Sequence, residues 1–532
     1  MSTLRKNVWR QLAFLICIAV AAGVASATQA RQLTIGFKGE PFAIDPHFQN
    51  GPNAHAVNRH IFDRLVDFAP DGGHQPALAV SWERRSDTAW VFRLRPGVTF
   101  HDGSPFTAQD VAATIRRIPT ANNNTGPFNG YIRQIDRVEI VDPLTIVFHT
   151  KGPVPSLLSS LAIVSIICAK FETASTGEFN SGAAAIGTGP FRYVSYARTQ
   201  SLNLARNDNY WGGAPDWTTV TIRFIPNDAT RIAALMSGEI DVATSILAQD
   251  RDAITRNRNL QLWTGPSFRV VFMNFDLANK TTPHATGPDN QPLPSNPMLD
   301  IRVRRAIAAA IQPEVLAERI MLGAAAPVGQ LASKETNGHV PGLSVRPNPL
   351  PDPRALLREA GYPNGFNLVI HAAPEAAQNA PSLAQGIAAM LGRAGIRTTV
   401  QTLPWQVYIG EIMKEGGPAY AAYMMSWGNS SGDSMDGLQS LLHTTDRSRN
   451  LGAQNQSRYS NPAADALIAK ATYTLDLDER RKLQQEAMRL MMADVPLVPL
   501  HAQVGMLGAR NGITYTTNPR EHLHAHEVRI AR

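Results

Sequence analysis

The chain has 532 residues, of which 44% are hydrophobic and 17% charged, and a net charge of +7. That is more than one core usually serves, so two or three globular domains are expected. The charges are mixed in sign with no concentrated basic face, which argues against nucleic-acid binding, and Cys17 and Cys168 are the only cysteines.

Residues 1–30 predict export. Arg5, Lys6 and Arg10 precede an apolar run from Leu12 to Val24, followed by Ala25-Ser26-Ala27. This order of basic, apolar and small residues is that of a cleaved secretory signal. The run is shorter than the roughly 20 residues that span a bilayer. Leu15-Ile16 before Cys17 argue against lipid attachment there. Removing the segment leaves a mature chain near +4 with Cys168 alone, hence without an internal disulfide. The expected location is the periplasm.

Gln32 to Phe37 reads as a strand. Ala77 to Phe100 reads as β structure, because Trp90, Phe92 and Leu94 alternate with Val91, Arg93 and Arg95 before the Pro96-Gly97 turn. Thr107 with Asp110 forms a capping box for a helix through Val111, Ile115 and Ile118. Thr145 to Thr150 is a further strand. Asp228 is expected to cap a helix stopped by Gly238, and Ile240 to Val242 to be a strand. Asp300 is expected to cap one long helix ending near Gly323. Asp352-Pro353 opens a helix that Gly361 closes. Leu368 to His371, Thr398 to Thr402 and Val495 to Leu500 read as strands. Leu383 to Leu391 reads as a helix, and two more begin at Asn461-Pro462 and at Asp476 with Glu479. Strands joined by helices predict an α/β fold, with a β-rich segment over 65–186 standing apart.

Motifs along the whole chain resemble the extracytoplasmic solute-binding proteins of ABC importers, in their peptide/nickel-binding class. They include Ile44-Asp45-Pro46, Pro76-Ala77-Leu78-Ala79 with Ser81-Trp82-Glu83, and Phe92-Arg93-Leu94-Arg95-Pro96-Gly97-Val98 through Phe100-His101-Asp102-Gly103. Gly187-Thr188-Gly189-Pro190-Phe191, Asn209-Tyr210-Trp211-Gly212-Gly213, Ser237-Gly238-Glu239-Ile240-Asp241 and Arg302-Val303-Arg304 follow. Gly361-Tyr362-Pro363, Tyr459-Ser460-Asn461-Pro462 and Asp494-Val495-Pro496 complete the series. The resemblance implies a two-lobed α/β fold that holds a solute between its lobes. Lobe I would comprise 31–64, the β-rich insert 65–186, 187–270 and 497–532. Lobe II would be 271–496. The hinge would lie near Ser267–Asn274 and Pro496–Leu500, and closure would be a hinge motion. The implied partners are a peptide or similar small solute and an inner-membrane permease with its ATPase subunits. The protein is expected to act as a monomer, with no cofactor, no resident metal and no catalysis.

Most motif residues read as scaffold. Trp82, Phe92 and Trp211 are expected in cores, and Gly97, Gly103 and Gly189 at turns that need unusual backbone angles. The segment Tyr423 to Asp433 is the expected binding segment, because an apolar strand there ends in a Gly/Ser/Asn loop before a helix, an arrangement that presents N–H groups to a crevice. The resemblance makes Trp427 a ligand-packing residue, with Gly428, Asn429 and Ser430 in the lining loop. Peptide binders of this class place an aspartate where this chain has Ser430. Asp433 is the next carboxylate, and it either faces a cationic group on the solute or caps the following helix. Gln49, Asn50, Trp405 and Tyr408 are further cleft candidates. No arginine occurs in 371–380 to hold a peptide carboxylate.

Two other chemistries can be written on the sequence. Gly428-Asn429-Ser430-Ser431-Gly432 fits a nucleophile elbow, and Asp494 and His501 follow in the order of a serine hydrolase. His522, His524 and His526 alternate, as metal-binding imidazoles on one strand face would. The alternative for these three is a solvated C-terminal tail.

Overall fold

The computed structural model describes residues 31–48, 51–69, 73–121, 128–346, 348–414 and 419–531. The segment read as an export signal lies outside them, as do Gln49 and Asn50. A mixed sheet runs through the molecule. Six of its strands position the cleft: Gln32–Phe37 (β1), Val242–Ala243 (β2), Leu260–Phe275 (β3), Phe366–Ala372 (β4), Ala422–Gly428 (β5) and Leu497–Arg510 (β6). Their order across the sheet is β4, β5, β3, β6, β2, β1, with Ala285–Thr286 beyond β4 and the strands Thr219–Phe224, Ser201–Arg206 and Phe191–Ala197 beyond β1.

Three large cores explain this layout. One packs Leu33, Ile35, Phe62 and Trp217 with Leu507 and Leu523. A second packs Phe272, Ile370, Leu383, Tyr423, Met488 and Leu500. A third packs Val111 of the helix Ala108–Arg117 with Phe92 and Phe148 of a four-stranded antiparallel sheet that begins at Ala79 and ends at Thr150. The first and third cores form lobe I and the second forms lobe II. Strands β3 and β6 run from one lobe to the other. Gln261 to Gly265 pair with Ala509 to Gly505 in lobe I, and Phe272 to Asn274 pair with Pro499 to Leu497 in lobe II. The register slips between Pro266 and Val270 and again between Val271 and Phe272. Neither Pro266 nor Pro499 has an N–H to give to the ladder, and such irregularities bend a strand pair locally.

Local chemistry sets several boundaries differently from the sequence reading. The long helix after Asp300 is two helices, Ile301–Ala310 and Pro313–Arg319. Pro313 cannot donate to the fourth residue before it and keeps Gln312 extended, at φ −116° and ψ 90°. The helix near Asp228 is capped by Asn227, which accepts from the Thr230 N–H at 2.9 Å. Gly189 serves no left-handed turn. It lets the chain pass Ile61, whose carbonyl carbon would lie 2.6 Å from an added Cβ. The C-terminal residues do not form a solvated tail, because His524 is 1% exposed and packs between lobe I elements.

Candidate functional site

A cavity of about 930 Å³ opens between the lobes. Lobe I contributes Lys38 and Gly39 after β1, Asn53, Asp228 at the start of its helix, Thr244 after β2, and the C-terminal stretch Arg520 to Leu523. Lobe II contributes Pro374 and Glu375 after β4, Gln378 to Ser382 around the start of the helix Ala380–Ala394, and Ser426 on β5. Arg269 enters from β3 where the strand crosses between lobes. The volume falls in the range of small-molecule sites.

The charges on the lining are balanced. Lys38, Arg269 and Arg520 face Asp228, Glu375 and Glu521. Asp228 is engaged within lobe I, by Lys38 at 3.4 Å and by Arg231 at 2.5 Å. Glu521 accepts from Ser267 Oγ and, at 3.0 Å, from Gln503 Nε2. Arg520 reaches across the lobes. Its Nε donates to the Ser430 carbonyl at 3.0 Å and its Nη2 to the Ser431 carbonyl at 3.1 Å. The guanidinium carbon sits 3.5 Å from the centre of the Phe68 ring, and burial pulls its pKa down to about 10. Among the described residues, neither Arg269 nor Glu375 has an oppositely charged group within 4 Å.

The expected binding segment does border this cavity, but through Ser426, not Trp427. Successive side chains on a strand face opposite ways. In the β3–β5 ladder Arg269 is opposite Gly428, Val271 opposite Ser426 and Val270 opposite Trp427. Trp427 therefore packs on the lobe II core. Trp405 packs on that core as well. Tyr408 is fully buried, with its hydroxyl donating to the Met424 carbonyl. Asn429 is also fully buried. Its Nδ2 donates to the Leu331 carbonyl at 3.1 Å and its Oδ1 accepts from the Gly437 N–H at 3.1 Å. Ser430 is exposed at the loop, beside Arg520. Asp433 is consumed inside lobe II. Arg480 Nη1 lies at 2.5 Å, Gln484 Nε2 at 2.9 Å and Asn337 Nδ2 at 3.2 Å, and its other role is to accept from the Met435 N–H at 2.9 Å. Its charge is thus not offered to the cleft.

The hydrolase constellation does not assemble. Asp494 accepts from Tyr459 Oη at 2.6 Å and Asn461 Nδ2 at 2.8 Å. His501 is fully buried on β6, with neither ring nitrogen hydrogen-bonded among the described residues. His522, His524 and His526 form a row of rings 6.1 and 5.9 Å apart. The row continues to His55 and His60 at 6.0 and 5.9 Å. Burial pushes the three C-terminal imidazoles well below the usual histidine range. Among the described residues no group of three or more His, Cys, Asp or Glu could hold a metal, and no helix is long and apolar enough to cross a membrane.

The residues missed by sequence reasoning are Arg269, Arg520, Glu375 and Gln378 to Ser382. Arg269 left a signal, as the single charge in the apolar run Phe268 to Phe272. Arg520 and the 378–382 segment left none, because their position depends on how distant parts of the chain meet.

Comparison with known proteins fits this geometry. The model of the bacterial extracellular solute-binding proteins, family 5 (middle), matches residues 74–449. The glutathione-binding protein GsiB of Pectobacterium atrosepticum is 28% identical over 90% of both chains. The heme-binding protein A of Haemophilus influenzae is 26% identical over 86% of this chain and 84% of its own. Among solved structures, the ABC transporter substrate-binding protein CtaP of Listeria monocytogenes superposes with a TM-score of 0.80 at 21% identity, covering 94% of this chain and all of that one. The Helicobacter pylori periplasmic binding protein DppA, in complex with the peptide STSA, gives 0.75 at 23% identity over 94% and 99%.

Proposed function

We propose a role for a chain that belongs to the bacterial extracellular solute-binding proteins of family 5: it captures a peptide-like solute between its lobes in the periplasm and hands it to an ABC permease and its ATPase. The observation that carries this reading is the cavity of about 930 Å³ lined from both lobes by balanced charge. A zwitterion with backbone amides suits such a lining, because each buried charge needs a partner and each buried amide a hydrogen bond. Glutathione, named for one relative, is of this kind. The crossing strands β3 and β6 would be the hinge, with lobe boundaries near 270 and 497. Residues 1–30 would be the export signal.

The test is the solute itself. Protein expressed with its leader is recovered from the periplasm and denatured, and the released molecules are identified by mass spectrometry. The identified compound is then returned to stripped protein. Expected are saturable heat in calorimetry, a raised melting temperature by mass action, and a smaller radius of gyration in X-ray scattering. Binding without any change in radius would remove the hinge reading. Release of a non-peptidic, uncharged compound would remove the peptide-like one.

A further inference from the structure

We infer that Arg269 is the residue that reads a carboxylate on the solute, which deepens the reading just given and rests on it. Arg269 is a guanidinium placed in the cavity at the crossing of the lobes. Among the described residues its single side-chain hydrogen bond is a long one, from Nη1 to Ser426 Oγ at 3.4 Å. The Ser426 hydroxyl itself donates to the Ala376 carbonyl at 2.8 Å, so it holds the fork in place without neutralising it. No carboxylate lies within 4 Å of Arg269 among the described residues. A cation left unpaired in a partly enclosed site is costly unless a ligand supplies the counter-charge.

The surroundings are built to leave that fork open. Across the ladder stands Gly428, and a Cβ added there would lie 3.3 Å from Nη2. Any other residue would press on the guanidinium. The neighbouring helix Ala380–Ala394 begins at the same cavity with no acidic residue in its first turn; of the carboxylates on the lining, Asp228 and Glu521 are engaged within the protein and Glu375 stands more than 4 Å from the guanidinium. Arg520, the other arginine on the lining, already gives two of its N–H groups to loop carbonyls. A carboxylate is the anion that matches one open, planar arginine edge in bidentate fashion.

The experiment uses a short-peptide digest of serum albumin as probe, in free-acid form and after methyl esterification of its carboxyl groups. Stripped full-length protein is titrated with each, with thermal shift and mass spectrometry of bound peptides as readouts. The free-acid digest should bind, and the ester digest should bind at least roughly 10-fold more weakly, the scale of a lost charge-assisted hydrogen bond. Arg269→Gln should bind both forms equally weakly with its ligand-free melting temperature unchanged, since it gives up one long hydrogen bond. Gly428→Ala should weaken the free-acid form alone, and it carries the test if Arg269→Gln does not fold. Equal binding of both digests by wild type, or undiminished acid binding by both variants, overturns the Arg269 assignment while capture stands. Displacement of the peptides by inorganic phosphate assigns Arg269 to phosphoryl groups and overturns the carboxylate. Binding of neither digest overturns the peptide-like reading and the carboxylate with it.

Discussion

Asp433 turns its charge away from the solute and into lobe II. Its pair with Arg480 is 17% and 7% exposed at the side chains, and Gln484 and Asn337 complete the shell. Breaking such a pair from one side leaves a buried cation without a counter-charge. Asp433→Asn keeps an acceptor for the Met435 N–H but loses the charge. It should cost about 3 kcal/mol of unfolding free energy while leaving solute affinity unchanged, which urea denaturation and calorimetry on the same variant will check. A drop in affinity at unchanged stability would return Asp433 to the cleft.

The C-terminal segment acts as a strap across the two crossing strands. The Phe268 N–H donates to the Pro519 carbonyl at 2.9 Å and Thr517 Oγ1 to the Thr264 carbonyl at 3.2 Å, both on β3. Glu521 ties β3 to β6 through Ser267 and Gln503, and Arg520 reaches the lobe II loop. Hydrogen bonds to a charged group contribute about 1.5–3 kcal/mol each, so on the proposed hinge Arg520 would bias the ligand-free protein toward closure. Arg520→Ala should therefore raise the ligand-free radius of gyration in X-ray scattering, and an unchanged radius would remove the strap from the closure equilibrium. The elements were largely legible in the sequence wherever the apolar period was regular, as in Gln32–Phe37 or the capped helix after Thr107, whose reciprocal box with Asp110 is present. They were illegible where a long-range partner decides the outcome. Leu497–Arg510 extends ten residues past Leu500 because β3 lies beside it. The segment Tyr423 to Asp433 meets the cavity through Ser426 of β5, and that side-chain direction is not legible in the sequence, since a hydrophobic strand buried on both sides carries no alternation to say which residues look into the cleft.

Across the whole molecule, burial favours the neutral form of many histidines. Burial pushes His47, His60, His101, His371 and His501 each down to about 4, and the three near the C-terminus well below the usual range. In the unfolded chain the same groups take up a proton near pH 6.5. The unfolded state therefore binds more protons below that pH, and stability is full above it and lost as pH falls from 6.5 toward 4. Asp436, pushed up to about 6 by burial, and Asp63, Asp250 and Asp276, also raised by burial, run the other way but are four groups against eight. Each such histidine adds a slope of up to about 1.4 kcal/mol per pH unit. Urea denaturation between pH 7.5 and 4.5 should show stability falling with an uptake of several protons on unfolding. His501 isolates one contribution, because its imidazole is fully buried and shifted by burial alone. His501→Gln should lower that uptake by about one proton, whatever it does to stability at neutral pH. A slope in the variant equal to that of the wild type would mean that His501 is already protonated in the folded protein.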